Sequence, residues 1–261
     1  MNTRLFFSLA LLTLMLPRAV AAETFAYDHM HFAAPDPPKA VAWYIANLGA
    51  RAGDAPDRVV IGRTIFAFTK SDTAQPSAGS AIDHIGISVP DLDAALKALT
   101  AAGATVLTPA RDVPGLFKLA FVQDPFGIKL EIVQDPETPG FHHIHLLVPD
   151  VEASLAWYAE HFGGERTKLK GRIDALKYSN PNVWLVAQKG DAAAPSQGHA
   201  IDHLGWAVPN VAAKVAALAA AGAKPTEPRA VRHLNVAFVD GPGGVRVEMV
   251  QGRKEDELVG R

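Results

Sequence analysis

Phe25-Ala26-Tyr27-Asp28-His29-Met30-His31-Phe32-Ala33-Ala34-Pro35-Asp36 returns, with substitutions, as Phe141-His142-His143-Ile144-His145-Leu146-Leu147-Val148-Pro149-Asp150. A second pattern, Ile82-Asp83-His84-Ile85-Gly86-Ile87-Ser88-Val89-Pro90-Asp91, returns as Ile201-Asp202-His203-Leu204-Gly205-Trp206-Ala207-Val208-Pro209-Asn210. In all four copies a histidine stands six residues before the proline that ends a strand: His29, His84, His143 and His203. Self-similarity of this kind marks repeated supersecondary units.

Each strand runs into a helix. Ala40 to Gly49, with Trp43 and Tyr44, matches Ser154 to Gly163, with Trp157 and Tyr158, and both end on a glycine suited to a C-cap. The paired aromatics read as packing against a sheet. Asp91 and Asn210 can cap the Ala-rich helices that follow them, which stop near Gly103 and Gly222. Short strands come next, at 117–123 and 129–133, at 234–239 and 245–250, and at 64–69 and 183–188. Asp124-Pro125-Phe126-Gly127 and Asp240-Gly241-Pro242-Gly243-Gly244 supply tight turns. The pattern is α+β: four βαβββ modules, two in a half spanning residues 23–137 and two in a half spanning 138–252, followed by a charged tail at 253–261.

Residues 1–22 read as a secretory signal peptide. Arg4 precedes an apolar run from Leu5 to Leu16, and small residues lead to cleavage after Ala21 or Ala22. The expected location is the periplasm or the exterior, with no stable membrane insertion after cleavage, because nothing beyond residue 22 is long and apolar enough to span a bilayer. The chain has no cysteine, which excludes thiol catalysis and thiolate ligands. Its formal net charge is -2 with scattered basic residues, so a nucleic-acid partner is not expected and a small-molecule substrate is. No dinucleotide fingerprint, Walker pattern or Ser-His-Asp context occurs. A monomer or homodimer is expected.

The Asp-His strand openings at 83/84 and 202/203, the Trp-Tyr helices ending in glycine, and the turn-plus-strand Asp124 to Glu131, echoed by Asp240 to Glu248, resemble the vicinal oxygen chelate superfamily. That superfamily includes glyoxalase I, extradiol dioxygenases and bleomycin-resistance proteins. The resemblance implies two glyoxalase-like domains, each an open barrel of two paired modules around one metal.

The residues themselves carry a compatible reading. His29, His84 and Glu131 would each sit on a strand, and two histidines with one carboxylate give a divalent ion three ligands while leaving positions open. His143, His203 and Glu248 repeat the set. Strand alternation puts Glu131 and Glu248 opposite their apolar neighbours, facing either a metal or water. The metal reading requires His84 to approach Glu131, and His203 to approach Glu248, within about 8 Å. His31 and His145 share the face of His29 and His143. Each is a ligand, a supporting donor, an acid-base group or a structural residue; the family alignment favours His29 and His143 as ligands. His142 is expected on the opposite face, at the surface or between domains.

Two departures from the relatives matter. Metal-dependent glyoxalases add a glutamate ligand from the last strand of the first module, but 63–69 and 182–188 contain no acidic residue, and Gln188 is a weak substitute. This points toward three-ligand relatives such as extradiol dioxygenases. Those bring a tyrosine where Phe121 and Phe238 stand here, and neither phenyl ring can donate a proton. His233 and His199 are candidates near the rim, and His31, His145 and His233 are the acid-base candidates. Arg111, Lys118 and Arg232 could meet an anionic substrate but read by default as solvated charge.

The expected function is a metal-dependent glyoxalase/dioxygenase-like enzyme, a lyase or dioxygenase, acting on a small substrate with vicinal oxygens. Its cofactor would be Fe(II), Mn(II), Zn(II) or Ni(II), which these ligand types do not discriminate. The alternative is a non-catalytic protein that sequesters a small molecule in the same cleft. A division into one catalytic and one structural half is a further option.

Overall fold

The computed structural model describes residues 23–179, 182–190 and 194–253; the leader expected at 1–22 and the tail from 254 onward lie outside them. Four modules follow one another in the chain. The first comprises β1 (Ala26–Ala34), α1 (Pro37–Leu48), β2 (Arg51–Ala52), β3 (Arg58–Ile61) and β4 (Thr64–Lys70). The second comprises β5 (Ile82–Ser88), α2 (Leu92–Ala101), β6 (Thr105–Asp112), β7 (Lys118–Gln123) and β8 (Lys129–Gln134). The third comprises β9 (Gly140–Val148), α3 (Val151–Phe162), β10 (Glu165–Leu169), β11 (Ile173–Ser179) and β12 (Asn182–Lys189). The fourth comprises β13 (Ile201–Ala207), α4 (Val211–Ala220), β14 (Arg229–Val231), β15 (Leu234–Asp240) and β16 (Arg246–Gln251).

Local chemistry sets the helix boundaries. Asp36, Asp91, Asp150 and Asn210 are the N-caps, each accepting a hydrogen bond from a backbone N–H in the first turn of its helix. Gly49 ends α1 in the left-handed conformation, as its position predicts. The Asp124 carboxylate accepts the N–H groups of Phe126 and Ile128, shaping the β7–β8 turn, and receives the Tyr44 hydroxyl at 3.0 Å. Trp43 and Trp157 pack against the main core as expected.

The strands form two unclosed eight-stranded mixed sheets, ordered β14-β15-β16-β13-β1-β4-β3-β2 and β10-β11-β12-β9-β5-β8-β7-β6. The first module therefore shares a sheet with the fourth, and the second with the third. Grouping by sequence halves, which would put His29 with His84 and Glu131, and His143 with His203 and Glu248, is not what the strands do. The modules are similar enough that any two could pair, so self-similarity finds the units without saying which are neighbours. The linkers cross instead: Gln75 bridges His199 and Ser80 bridges Ala194.

One face of each sheet feeds a continuous core with the helices, including Tyr27, Phe32, Tyr44, Phe66, Tyr158, Phe162 and Trp206. Each of the phenylalanines among them contributes about 1.5–3 kcal/mol on burial. This core holds the modules together and leaves the opposite face of each sheet free for polar groups. Arg253, counted with the charged tail in the sequence, pairs with buried Asp28 at 2.8 Å.

Candidate metal centres

Two side-chain clusters could hold an ion: His29, His31, His203 and Glu248 on one sheet, and His84, Glu131, His143 and His145 on the other. In each, one ligand atom per residue lies within 4.8 Å of all the others. Every residue expected as a ligand is thus in a cluster, but the partners are exchanged between halves. The two distances on which the metal reading depends are short, with His84 Nε2 3.1 Å from Glu131 Oε2 and His203 Nε2 3.0 Å from Glu248 Oε2.

Three adjacent strands build each centre. In the first, Gly205 on β13 stands in register between His29 on β1 and Glu248 on β16. In the second, Gly86 on β5 stands between His143 on β9 and Glu131 on β8. A β-carbon on Gly205 would lie 2.1 Å from His29 Cε1, and one on Gly86 2.1 Å from His143 Nδ1. The glycines are saddles over which an imidazole reaches a carboxylate two strands away, giving 2.9 Å from His29 to Glu248 and 3.1 Å from His143 to Glu131. The pattern Asp-His-x-Gly at 83–86 and 202–205 carried this signal.

The residue before each of these histidines is a bulge. Register shifts leave Asp28 and Asp202 unpaired between β1 and β13, and Asp83 and His142 unpaired between β5 and β9. A bulge re-aims a side chain that alternation would send to the other face. Asp28, Asp83 and Asp202 consequently accept from Nδ1 of the next histidine at 2.7, 2.6 and 2.6 Å. The expectation for His142 is corrected for the same reason. It is fully buried, 2.8 Å from His143 Nδ1, and its own Nε2 lies 3.2 Å from Asp135.

These partners fix the protons. Burial, then the neighbouring His143, lower His142 to about 4, so it is neutral and carries one proton, which sits on Nε2 and is donated in a hydrogen bond to the Asp135 carboxylate. His142 Nδ1 must then accept from His143 Nδ1, leaving His143 Nε2 a bare lone pair facing the Glu131 carboxylate. That nitrogen is buried and has no hydrogen-bond partner. With Nδ1 of the others committed to carboxylates, all the inward Nε2 atoms have lone pairs for a cation, each supported from outside. The donor set fits a divalent ion.

A proton can serve as that cation. Burial disfavours a charged His29, but its bonds to Asp28 and Glu248 override this and raise it to about 9. Burial also opposes ionised Glu248, and the two histidines overcome it to hold the carboxyl well below its usual range. His31 and His145 differ from the triads. Burial and then the neighbouring imidazoles push both well below the ordinary histidine range, leaving them neutral. His31 stacks on His203 at 4.4 Å and lies 3.4 Å from Thr69 Oγ1, whereas His145 Nε2 meets Gln188 Oε1 at 3.1 Å. Phe238 and Phe121 stand edge-on to His203 and His84.

The surroundings of the two centres diverge. A cavity of about 510 Å³ opens over the first, lined in part by Arg58, Arg229, Arg232, His233, Phe238 and Arg246. Apolar side chains from the two wings of that sheet form separate clusters, one at Val60, Ile65 and Ala67 and the other at Val236, Phe238 and Val250. Over the second centre the wings merge into one cluster that joins Phe117, Leu119 and Val133 to Leu169, Ala175 and Val186. Its hairpin tips meet, with Arg172 donating to the Pro114 carbonyl. His233 is therefore at the first centre; His199 belongs to the linker crossing.

The profile described as Glyoxalase/Bleomycin resistance protein/Dioxygenase superfamily matches residues 26–132 and 140–249. Among solved structures, glyoxalase I from Zea mays has a TM-score of 0.71 at 19% identity, covering 90% of this chain and 94% of that one. A putative dioxygenase from Bacillus subtilis subsp. subtilis str. 168 has a TM-score of 0.66 at 18% identity, covering 90% of this chain and 87% of that one. At these identities the likeness is one of fold. No curated protein sequence matches the chain.

Proposed function

Since the chain belongs to the glyoxalase/bleomycin resistance protein/dioxygenase superfamily, we propose that it is a metal-dependent enzyme acting on a small substrate with vicinal oxygens, with turnover at the first centre. The observation that carries this is the convergence of His29, His203 and Glu248 beneath an open cavity of about 510 Å³. His29 Nε2, His203 Nε2 and Glu248 would hold the ion, which would be Fe(II), Mn(II), Zn(II) or Ni(II). When bound, such an ion supplies Lewis acidity to the substrate oxygens.

The other groups have assignable tasks. Asp28 and Asp202 hold the ligand imidazoles in the required tautomer. His31, on the same strand face as His29 and with Nδ1 turned to Thr69, is the acid-base candidate beside the ligands. His233, on the cavity wall, is a second acid-base candidate, closer to solvent. Phe238 excludes water from one side. The second centre would hold an ion under its apolar cover and serve the fold, with His145 engaged by Gln188 rather than by substrate. The leader-like segment supports an exported protein, in which a substrate built on a cytosolic thiol is disfavoured.

The test is reconstitution with each metal, elemental analysis, and turnover of α-oxoaldehyde hemithioacetals and of catechols. His203→Ala should lose activity and one metal equivalent, while His84→Ala loses one equivalent and keeps activity. A protein that takes up no metal yet binds catechol would instead be a sequestering module.

A further inference from the structure

The walls of the first cavity add a feature that the ligand cluster does not require. Five arginines line it: Arg58, Arg229, Arg232, Arg246 and Arg253. Two are neutralised, Arg58 by Asp54 and Asp57 at 3.2 and 3.1 Å, and Arg253 by Asp28. Among the described residues Arg229, Arg232 and Arg246 make no ion pair; Arg246 does act on Asp202, where burial opposes the charge but His203 and then Arg246 hold the carboxyl below its ordinary value. Arg246 and Arg229 both lie over the Phe238 ring, 4.3 and 5.7 Å from its centroid, so one phenyl ring gathers two guanidinium groups.

Arg232 is held in a costly conformation. Its φ is +55°, in the left-handed region that glycine or asparagine adopts more readily, and only one other described non-glycine residue, Lys170, shares it. Strain of this kind concentrates where a side chain is used. The turn places Arg232 on the cavity wall between Val231 and His233.

The second centre is an internal control. Lys129 occupies the strand position of Arg246, because each is two residues before its ligand glutamate and both strands pair in the same register. Lys129 is bound to Asp83 at 2.5 Å, and the turn matching Arg232-His233 is Pro114-Gly115-Leu116, whose Leu116 packs into the apolar cluster. Identical ligand types thus carry an arginine-rich wall, with Asp54 and Asp202 in it, in one case, and an apolar fill beside the single cation Lys129 over Phe121 in the other.

We propose that the first cavity is a subsite for an oxyanion, a carboxylate or phosphate carried by the substrate, with Arg229, Arg232 and Arg246 as its donors. The substrate class is then an anionic molecule whose vicinal oxygens face His29, His203 and Glu248 while its charged end faces the arginines. This rests on the proposed function for the oxygen-binding end only. Guanidinium groups suit such anions because they donate in a planar fork.

The experiment compares Kd values within two matched pairs, by calorimetric titration of metal-loaded and chelator-treated protein. The pairs are 3,4-dihydroxybenzoate against catechol, and dihydroxyacetone phosphate against dihydroxyacetone; they separate a carboxylate from a phosphate source. The anionic member of one pair should bind about tenfold or more tightly than its neutral partner, the scale of a charged hydrogen bond. Arg232→Gln and Arg229→Gln, both exposed positions, should erase that preference while leaving metal content and thermal midpoint unchanged. Equal affinities within both pairs, no binding of either anion, or an equal loss for charged and neutral members in the variants would overturn the proposal. An arginine-dependent preference in protein that takes up no metal would sustain the subsite and sink the metalloenzyme reading; metal uptake without the preference would do the reverse.

Discussion

Replacing Gly205 by alanine should remove one metal and leave the other. The added carbon would sit 2.1 Å from His29 Cε1 and 2.4 Å from both ring nitrogens. Comfortable contact between carbons begins near about 3.5 Å, so the ring must retreat by more than about 1 Å. Metal–ligand distances tolerate only about 0.2 Å, so His29 cannot remain a ligand. Gly205 is not among the positive-φ residues, so alanine fits the backbone, and the expected cost is that of local overpacking, about 1–3 kcal/mol. Gly86→Ala should act in mirror image, displacing His143, whose Nδ1 and Cε1 lie 2.1 and 2.2 Å from the built carbon. The assay is elemental analysis of reconstituted, dialysed protein with a circular-dichroism melt as the folding control. Each variant should lose one equivalent per chain and the double variant both. A folded Gly205→Ala protein that keeps both equivalents would show that the saddle geometry does not govern ligation.

Three further outcomes follow from the same geometry. Asp202→Asn should weaken metal binding at the first centre by about 10- to 100-fold, and His142→Phe at the second by a similar factor, read by competition with a chromogenic chelator; unchanged affinity would mean that the outward hydrogen bonds do not support the ligands. In chelator-treated protein, His29 titrates near 9 rather than 6.5, because its bonds to Asp28 and Glu248 outweigh its burial. A raised folded pKa gives stability that is full below about pH 6.5 and is lost as pH rises through 9, so urea midpoints should fall between pH 6.5 and 9 in the metal-free protein and less so in the loaded one; a flat profile would refute this. Finally, fragments 23–137 and 138–261 should not behave as independent monomers, since β1 and β5 in one fragment find their antiparallel partners β13 and β9 in the other. Size-exclusion chromatography should show them co-eluting when mixed, and two well-folded monomers would contradict the exchange.

The modules, the Asp91 and Asn210 caps and the four recurrent histidines were legible in the sequence, because each rests on a local pattern: a histidine at a fixed distance from proline, an Asp or Asn before a helix, a glycine turn between strands. Taking Glu131 and Glu248 as ligands, and His29 and His143 rather than His31 and His145, leans on the family resemblance. What required coordinates was non-local. Nothing in the near-equal intervals from His84 to Glu131 and from His203 to Glu248 states which strand lies across from β1. His142 departs from strict alternation because a bulge intervenes, and a bulge is a property of two paired strands rather than of one. Gly86 and Gly205 looked like ordinary strand residues until the partner imidazole was seen where a methyl group would be. Arg232 read as surface charge because its cavity is formed by strands from the first and fourth modules, distant in sequence.

This separation explains how one chain holds two centres of unlike character. Ligation depends on three adjacent strands, two bulges and a glycine, all near the middle of each sheet and locked by strand register. Access depends on hairpin tips at the sheet wings, where Leu116 and Phe117 close one cleft while Arg232 and His233 leave the other open. Register cannot change without moving every ligand to the other face, whereas a hairpin tip tolerates substitution. Changes at the tips can therefore alter what reaches a centre without altering what the centre binds. Substituting Arg232 should change which molecules bind and leave the metal in place, and substituting Gly205 should do the opposite.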